Sequence, residues 1–158
     1  MSSTPTPDPA SRTARDVPIP ALLRAARGAY GHAIQRRLLA DGFDDLPRNA
    51  PFLLGGMVNQ GVAASDLIRQ LGVSKQAASQ LVDTLVMRGY LEREVDPDDR
   101  RRMILQVTER GRTAAAAVRA GVVWVDTELA ARLSPAELEG LRAGLVALCD
   151  IRDGLEGG

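Results

Sequence analysis

The sequence has very little of several residue types on which small proteins often depend. It contains one cysteine, Cys149, one histidine, His32, and only 3% aromatic residues. A single cysteine excludes an intrachain disulfide and a cysteine-based zinc site, and we expect Cys149 to be a small buried residue near the end of a helix. Because aromatics are scarce, the core must be built from Leu, Val, Ile and Ala, which favours helices packed closely on helices.

Long apolar runs and catalytic motifs are missing as well. No stretch approaches the roughly 18 apolar residues of a membrane span, and the N-terminus has no signal-peptide core, so we expect a cytoplasmic protein without a membrane partner. Phosphate-binding glycine loops, nucleophile elbows and His-Glu-x-x-His metal motifs do not occur, and nothing supports a metal cluster or a catalytic pair built from His32 and Cys149. We therefore predict no enzyme activity, no catalytic residue, no metal site and no cofactor.

The charges are balanced over the whole chain. The 20 basic and 20 acidic residues give a formal net charge of zero, so any affinity for nucleic acid must come from a local arrangement of charges. Three arginines are adjacent at positions 100–102, whereas many acids lie elsewhere. Asp98 and Asp99 precede the arginines and are interpreted as ion-pair partners, not as an acid/base couple.

The stretch from Ser65 to Thr108 is the one around which the rest is organised. Its first helix is short, with Leu67, Ile68 and Leu71 as apolar residues, and Gly72 can end it by accepting a positive φ. Ser74 is a suitable N-cap for a second helix that continues to Gly89. One face of that helix is apolar and predicted to be buried: Ala78, Leu81, Val82 and Leu85.

The opposite face of the second helix is polar. It carries Lys75, Gln76, Ser79, Gln80 and Asp83. Together with Ser74, the first four are candidates for hydrogen bonds to base edges from the N-terminal half of a helix in a DNA major groove. The alternative is a merely solvated face, but the short preceding helix and the glycine turn favour a helix-turn-helix.

Two short segments with alternating apolar and polar residues follow. Residues 90–95 and 103–107 have the period of two that is typical of half-buried strands, and the turn between them is charged. We predict a wing with DNA-contacting residues at its tip: Asp99, Arg100, Arg101 and Arg102. The spacing of Asp99 and Arg101 suggests that the carboxylate holds the guanidinium in an extended pose.

The flanking regions are expected to be mostly helical. Residues 1–17 have the composition of a disordered tail. We expect a helix and connector in residues 18–50, the DNA-binding domain in residues 51–111 and two further helices in residues 112–158. Thr108 can cap a helix that reaches Leu133, and Ser134 to Glu137 is a capping box. The pair Gly55 and Gly56 indicates either close backbone packing or poor helicity in a short intervening helix.

The terminal helices carry apolar stripes and no chemistry. The stripe of the helix after the wing is formed by Val118, Val122, Val125, Leu129 and Leu133, and that of the last helix by Leu138, Leu141, Leu145 and Leu148. These stripes exceed what a winged helix of this size can cover, so we predict a homodimer with interlocked terminal helices. The alternative is a three-helix lobe within one chain.

The motifs around the wing resemble those of the MarR (multiple antibiotic resistance regulator) family of winged-helix repressors. The family pattern Asp-x-Arg followed by Leu-Thr-x-x-Gly is met by Asp99, Arg101, Thr108 and Gly111, with Val107 in place of the leucine. The resemblance implies a mainly α fold with a small antiparallel β wing, that is, an α+β winged helix-turn-helix flanked by N- and C-terminal dimerisation helices. It also implies a homodimer that binds double-stranded DNA at a pseudo-palindromic operator.

The resemblance implies further sites that the residues alone do not. Relatives commonly bind a small aromatic or phenolic effector between the dimerisation helices and the DNA-binding domain. Candidate lining residues here are Tyr30, His32, Phe52, Met57 and Trp124, with the alternative that all five are core. Relatives cap the first helix of the motif with Ser or Thr; this chain has Ala63, so Ser65 becomes the candidate phosphate contact. A redox-sensing thiol, known in some relatives, is the alternative role of Cys149.

Two functional hypotheses of different classes follow. The first is a homodimeric, sequence-specific transcriptional regulator, in the repressor mode. The second is a winged-helix module that binds protein and uses its arginine wing on an acidic partner. The two differ in the salt dependence expected for binding to duplex DNA.

Overall fold

The computed structural model describes residues 16–59, 61–97, 99–101 and 103–156. Within these ranges the chain forms six helices and one antiparallel two-stranded sheet. In chain order the elements are α1 (Ile19–Ala40), α2 (Ala50–Asn59), α3 (Ala64–Gln70), α4 (Lys75–Met87), β1 (Leu91–Val95), β2 (Met103–Val107), α5 (Glu109–Ala130) and α6 (Pro135–Glu156). The predicted fold class is confirmed. Asp98 and Arg102 lie outside the described residues, and so does the predicted tail apart from residues 16 and 17.

Most helix starts lie where the sequence places them. Ser74 caps α4 by accepting from the Ala77 N–H at 3.2 Å, and Thr108 caps α5 by accepting from the Gly111 N–H at 3.0 Å. At α6, Ser134 accepts from the Glu137 N–H at 3.3 Å while the Glu137 carboxylate accepts from the Ser134 N–H at 2.8 Å, a complete capping box. These local signals satisfy N–H groups that would otherwise lack a partner.

The core lies where α2, α3, α4, the base of β1 and the first half of α5 meet. Its fully buried large side chains are Leu53, Leu54, Leu67, Leu85, Tyr90 and Leu91. Ala114, Ala115 and Ala117 add small residues along α5. Leucine and alanine therefore dominate, as the scarcity of aromatics predicted.

Close packing explains one of the two glycines of α2. A Cβ at Gly56 would lie 2.5 Å from Cδ2 of Leu67, and one at Gly55 would lie 3.4 Å from Cγ1 of Val118. The first distance leaves no room for any side chain, so α3 can approach α2 only because residue 56 is glycine. Close packing therefore explains Gly56, whereas the distance at Gly55 is an ordinary van der Waals contact that a methyl group would tolerate.

The terminal helices are less buried than the stripes alone suggest. In α1 only Ala33 and Leu38 are buried, and Leu23, on the predicted packing face, is 38% exposed. None of the described side chains of α6 is buried, and Cys149 is exposed, so its predicted burial is wrong for the single chain. The physical reason is that α6 packs on little of its own chain, which also removes support for a three-helix lobe within one subunit.

One helix boundary differs from the sequence-based expectation. Helix α5 ends at Ala130, short of Leu133, and its end tightens, since the Arg132 N–H bonds to the Leu129 carbonyl three residues back. Among the described helices, none has the length and apolar character needed to cross a membrane.

Candidate nucleic-acid interface

The turn between α3 and α4 sets the relative direction of the two helices. Helix α3 ends at Gln70 with Leu71 as its C-cap, and Gly72 has a φ of +63°, which glycine adopts without strain. Ser74 then caps α4 two residues later. Leu67 of α3 and Leu85 of α4 are both fully buried in the core. The geometry is that of a helix-turn-helix.

Helix α4 presents its polar face to solvent. Its exposed N-terminal residues include all five candidates for base contact: Ser74, Lys75, Gln76, Ser79 and Gln80. The opposite face is held in the core through Ala78, Val82 and Leu85. The amphipathic pattern therefore fixes which side chains are free to contact another molecule.

The wing leaves the body of the protein after its first residue pair. Leu91 pairs with Val107 and Val95 with Met103 at the far end. Within β1 only Leu91 is buried, so the expectation of a half-buried strand is wrong for the rest of β1, whereas Ile104, Leu105 and Val107 of β2 are partly buried. The reason is that no described element packs over its outer part, and Asp99, Arg100 and Arg101 at the turn are exposed.

The role of Asp99 differs from the one expected. Its Oδ1 accepts a hydrogen bond from the backbone N–H of Arg101 at 3.0 Å. An Asp side chain bonded to the N–H two residues on is an Asx turn, which shapes the backbone. In the described part of the turn the carboxylate thus orders the Arg101 backbone, where the spacing suggested that it would hold the guanidinium.

An ion pair joins the wing to α4, and sequence reasoning missed it. Nη2 of Arg93 in β1 donates to Oδ1 of Asp83 in α4 at 2.6 Å. Asp83 lies on the same exposed stripe of α4 as Gln76 and Gln80. The two elements are therefore linked on the side that faces solvent, and no pattern in the sequence pairs residues ten positions apart in different elements.

A second missed cluster anchors the base of the wing. The buried Tyr90 hydroxyl donates to Oδ1 of Asp45 at 2.5 Å, and Nη2 of Arg110 lies 3.1 Å from both the Asp45 Oδ1 and the Tyr90 oxygen. The Arg110 guanidinium also stacks on the Tyr90 ring at 4.6 Å. These contacts join the α1–α2 connector, the start of β1 and the start of α5.

Electrostatics within this cluster follow from its geometry. The hydrogen bond from Tyr90 lowers the pKa of Asp45, with help from the Arg110 charge. Burial and the bond to Asp45 raise the pKa of Tyr90. At neutral pH the carboxylate is therefore ionised and the phenol protonated, which is the pairing that the hydrogen bond requires.

The Thr-x-x-Gly motif has a structural explanation. Thr108 donates its hydroxyl to the Gly89 and Tyr90 carbonyls, at 2.6 and 3.1 Å. A Cβ at Gly111 would lie 2.2 Å from the Tyr90 carbonyl oxygen. Any larger residue at position 111 would push α5 away from the wing base, so the motif positions the wing.

The five candidate effector residues do not share one described cavity. A cavity of about 470 Å³ lies between α1 and α5, lined by Ala33, Arg36, Arg37, Ala40, Ala120, Gly121 and Trp124. Trp124 is the only one of the five in this lining, with the Arg36 guanidinium 4.7 Å from its ring centre. Tyr30 donates to Asp126 at 2.6 Å, His32 and Phe52 are exposed, and Met57 packs on the core.

Ser65, the candidate phosphate contact, is exposed in the first turn of α3. Ala63 is the N-cap residue, and no side chain caps this helix. The N–H groups of the first turn thus have no side-chain acceptor at the cap.

A helix-turn-helix followed by a β wing defines the class of winged-helix proteins. Residues 44–102 match a model of the MarR family. Over 76 residues the chain is 34% identical to the transcriptional repressor MprA of Escherichia coli K12, covering 48% of this chain and 43% of that protein. The chain spans between 43% and 65% of the length of the curated relatives compared with it.

Solved structures agree with the sequence match. The crystal structure of MarR superposes with a TM-score of 0.70 at 25% identity, covering 93% of this chain and 99% of that one. FabT of Streptococcus pneumoniae in complex with DNA superposes with a TM-score of 0.73 at 20% identity, covering 87% and 96%. The winged-helix part of the chain, residues 44–102, matches the MarR family, so the resemblance seen in the sequence is confirmed there.

Proposed function

We propose that this protein is a transcriptional regulator that binds double-stranded DNA sequence-specifically through α4 and the wing. The observation that carries the proposal is the exposed polar stripe of α4 linked by the Asp83–Arg93 ion pair to an arginine-bearing wing. Such a pair of elements suits a helix in the major groove and a wing on the adjacent backbone. We expect no catalytic activity and no cofactor, and action in the cytoplasm.

Each candidate residue has a distinct role in this proposal. Gln76 and Gln80 are suited to bidentate contacts with adenine, and Lys75 to guanine or phosphate. Ser74 and Ser79 add shorter contacts from the same face. Ser65 donates to a phosphate near the start of α3, where a helix N-terminus favours an anion. Asp99, Arg100, Arg101 and Arg102 form the wing contact.

The functional unit in this proposal is a homodimer. Helix α6 exposes an apolar row that contains Leu141, Leu145 and Leu148, and the N-terminal part of α1 exposes Leu22 and Leu23. A second copy would cover both surfaces and place two α4 helices on a pseudo-palindromic site.

Repression, with release by a small aromatic or phenolic effector, completes the proposal. The repressor mode rests on the similarity to a protein named as a repressor. For the effector, the α1–α5 cavity offers the indole of Trp124 and the guanidiniums of Arg36 and Arg37. Tyr30, His32, Phe52 and Met57 remain candidates that would need the dimer to join this lining. Trp124 emission, titrated with aromatic acids alongside operator affinity, tests the effector; no change in either contradicts it.

Salt dependence of binding to random duplex DNA tests the proposal first. Neutralised phosphates give a log–log slope of about −0.9 per contact, so a steep slope is expected. A flat response would contradict DNA binding and favour a protein-binding module.

Specificity is tested with a bound sequence selected from a random pool. Gln80→Ala should lose about 1 to 3 kcal/mol of discrimination at one symmetric pair of positions, with little change on random DNA. Gln35→Ala, at an exposed position of α1, is the matched control. An unchanged preference in Gln80→Ala would contradict base reading by this residue.

A further inference from the structure

The outer end of the wing carries an exposed apolar pair. Val95 and Met103 are partners in the last register pair of the sheet, and their exposed fractions are 53% and 55%. Single exposed apolar residues are ordinary, but two directly opposite each other form one contiguous surface. Edge strands more often carry charges at such positions, because an uncovered apolar edge promotes association.

This pair lies on the side of the wing that faces α4. Residues directly opposite in an antiparallel sheet share a face, and the same face returns at every second residue. Val95 and Met103 therefore share a face with Leu91, which is buried against the body, and with Arg93. Because Arg93 bonds to Asp83 on the exposed stripe of α4, this face of the wing is turned toward that stripe.

The charges next to Val95 and Met103 indicate which kind of molecule covers them. Arg100 and Arg101, both exposed, lie in the turn that joins the two strands. A polyanion offers acceptors to both guanidiniums, and the Asp99 carboxylate in the same turn is already bonded to the Arg101 backbone N–H. A DNA groove provides both an anion for the guanidiniums and an apolar surface for the pair. Phosphates form the rim of the groove, and deoxyribose carbons form its inner wall.

We propose that Val95 and Met103 pack against the deoxyribose wall of the DNA minor groove while the neighbouring arginines contact phosphates. This inference rests on the proposed function and adds to it a salt-independent part of the affinity. Burial of apolar surface releases no counterions, so its contribution is the same at every salt concentration. The contact is independent of sequence, because every nucleotide carries the same sugar.

The test replaces apolar atoms with polar ones of similar size. In Val95→Thr/Met103→Gln the wing keeps its shape, and both positions are exposed, so folding is preserved. Met87→Gln is the matched control, since Met87 is 78% exposed at the C-terminal end of α4. Binding of the full-length proteins to a random-sequence duplex is measured by fluorescence anisotropy at four salt concentrations.

We expect the double variant to bind about tenfold more weakly at every salt concentration, with an unchanged slope. The control should match the wild type. Unchanged affinity would overturn the inference, and so would a smaller slope, which would mean that the pair acts by placing the arginines. A loss of dimer in sedimentation would place the pair in a subunit interface and also overturn it. Failure of the wild type itself to bind duplex DNA is a separate result, which overturns the proposed function together with this inference.

Discussion

The winged region and the last helix have similar apolar stripes but different surroundings. In α4, Ala78, Val82 and Leu85 are buried by the rest of the chain. In α6, Leu145 is 41% exposed and Ile151 is 61% exposed, although their helix is longer and also amphipathic. The winged region thus has a core of its own, whereas the described part of the chain leaves the apolar row of α6 uncovered. An apolar stripe predicts that a helix face will be covered, but not by what.

A charge on the apolar stripe of α6 should have the largest effect on the difference between the two regions. Leu145→Glu should abolish both dimer formation and operator binding. In the proposed dimer the second subunit would bury the carboxylate without a partner, which costs roughly several kcal/mol. Sedimentation and anisotropy measure the two effects. Ala143→Glu, on the opposite face of α6, is the control and should leave both intact. A monomeric Leu145→Glu that still binds a full operator tightly would refute the dimer.

A pair of leucine truncations sharpens the comparison next. Leu85→Ala removes a fully buried side chain and should lower the free energy of unfolding by about 2 to 5 kcal/mol at any protein concentration. Leu148→Ala should lower it by an amount that depends on protein concentration, because the proposed dimer would cover this side chain with the second subunit. Denaturation in urea at two concentrations distinguishes them. A concentration-independent loss in Leu148→Ala would mean that α6 packs on its own chain.

Tyr90→Phe tests whether the polar cluster stabilises the base of the wing. Loss of the hydrogen bond to an ionised Asp45 should lower stability by about 1 to 3 kcal/mol at neutral pH. That bond lowers the pKa of Asp45, so its stabilisation is present above the unfolded pKa and is lost as the pH falls through the folded one. The variant should therefore lose less stability than the wild type on acidification. Melting curves from pH 7 to pH 3 measure this; parallel profiles would contradict the assignment.

Substitutions in the wing probe its exposed end. Arg101→Ala should weaken binding to all sequences and reduce the salt slope by about one unit per subunit. Asp99→Ala should give a milder loss, because the turn that orders the Arg101 backbone is released, whereas Asp99→Asn keeps an acceptor for that N–H. Operator affinity at two salt concentrations decides the point. Tighter binding by Asp99→Ala at both would mean that the negative charge matters more than the turn.

The smallest expected effect concerns the contact between α1 and α5. Tyr30→Phe should lower stability by about 0.5 to 1.5 kcal/mol through loss of the bond to Asp126. That bond raises the pKa of Tyr30 to about 12, so the stabilisation is present below the unfolded pKa near 10 and is lost as the pH rises toward 12. The difference between wild type and variant should shrink over that range. A constant difference from pH 8 to pH 11 would contradict this coupling.

Local patterns were sufficient for most elements of the fold. Three helix starts were predicted from capping signals that span at most four residues, and the structure has a helix at each. The signals are Ser74, Thr108 and the capping box of Ser134 and Glu137. The alternation in residues 103–107 likewise predicted β2 with its observed bounds. Such signals succeed because a cap or an amphipathic face is a property of neighbouring residues.

Contacts between distant segments escaped sequence reasoning. The bonds Asp83–Arg93 and Asp45–Tyr90–Arg110 depend on how α4, the wing, the connector and α5 pack together. The Asp99 bond was misassigned because spacing alone does not distinguish a backbone N–H from a guanidinium two residues away. Each of these contacts bears on how the proposed DNA-binding elements are positioned.

The sequence by itself determined the order of helices and strands, their caps and the polar face of α4, since these follow from the spacing of residues along the chain. Tertiary structure decided which apolar faces are covered, which carboxylate meets which arginine and why Gly56 and Gly111 admit no side chain. The physical reason is range: helix periodicity and capping act over a few residues, whereas burial and ion pairing depend on segments that only folding brings together.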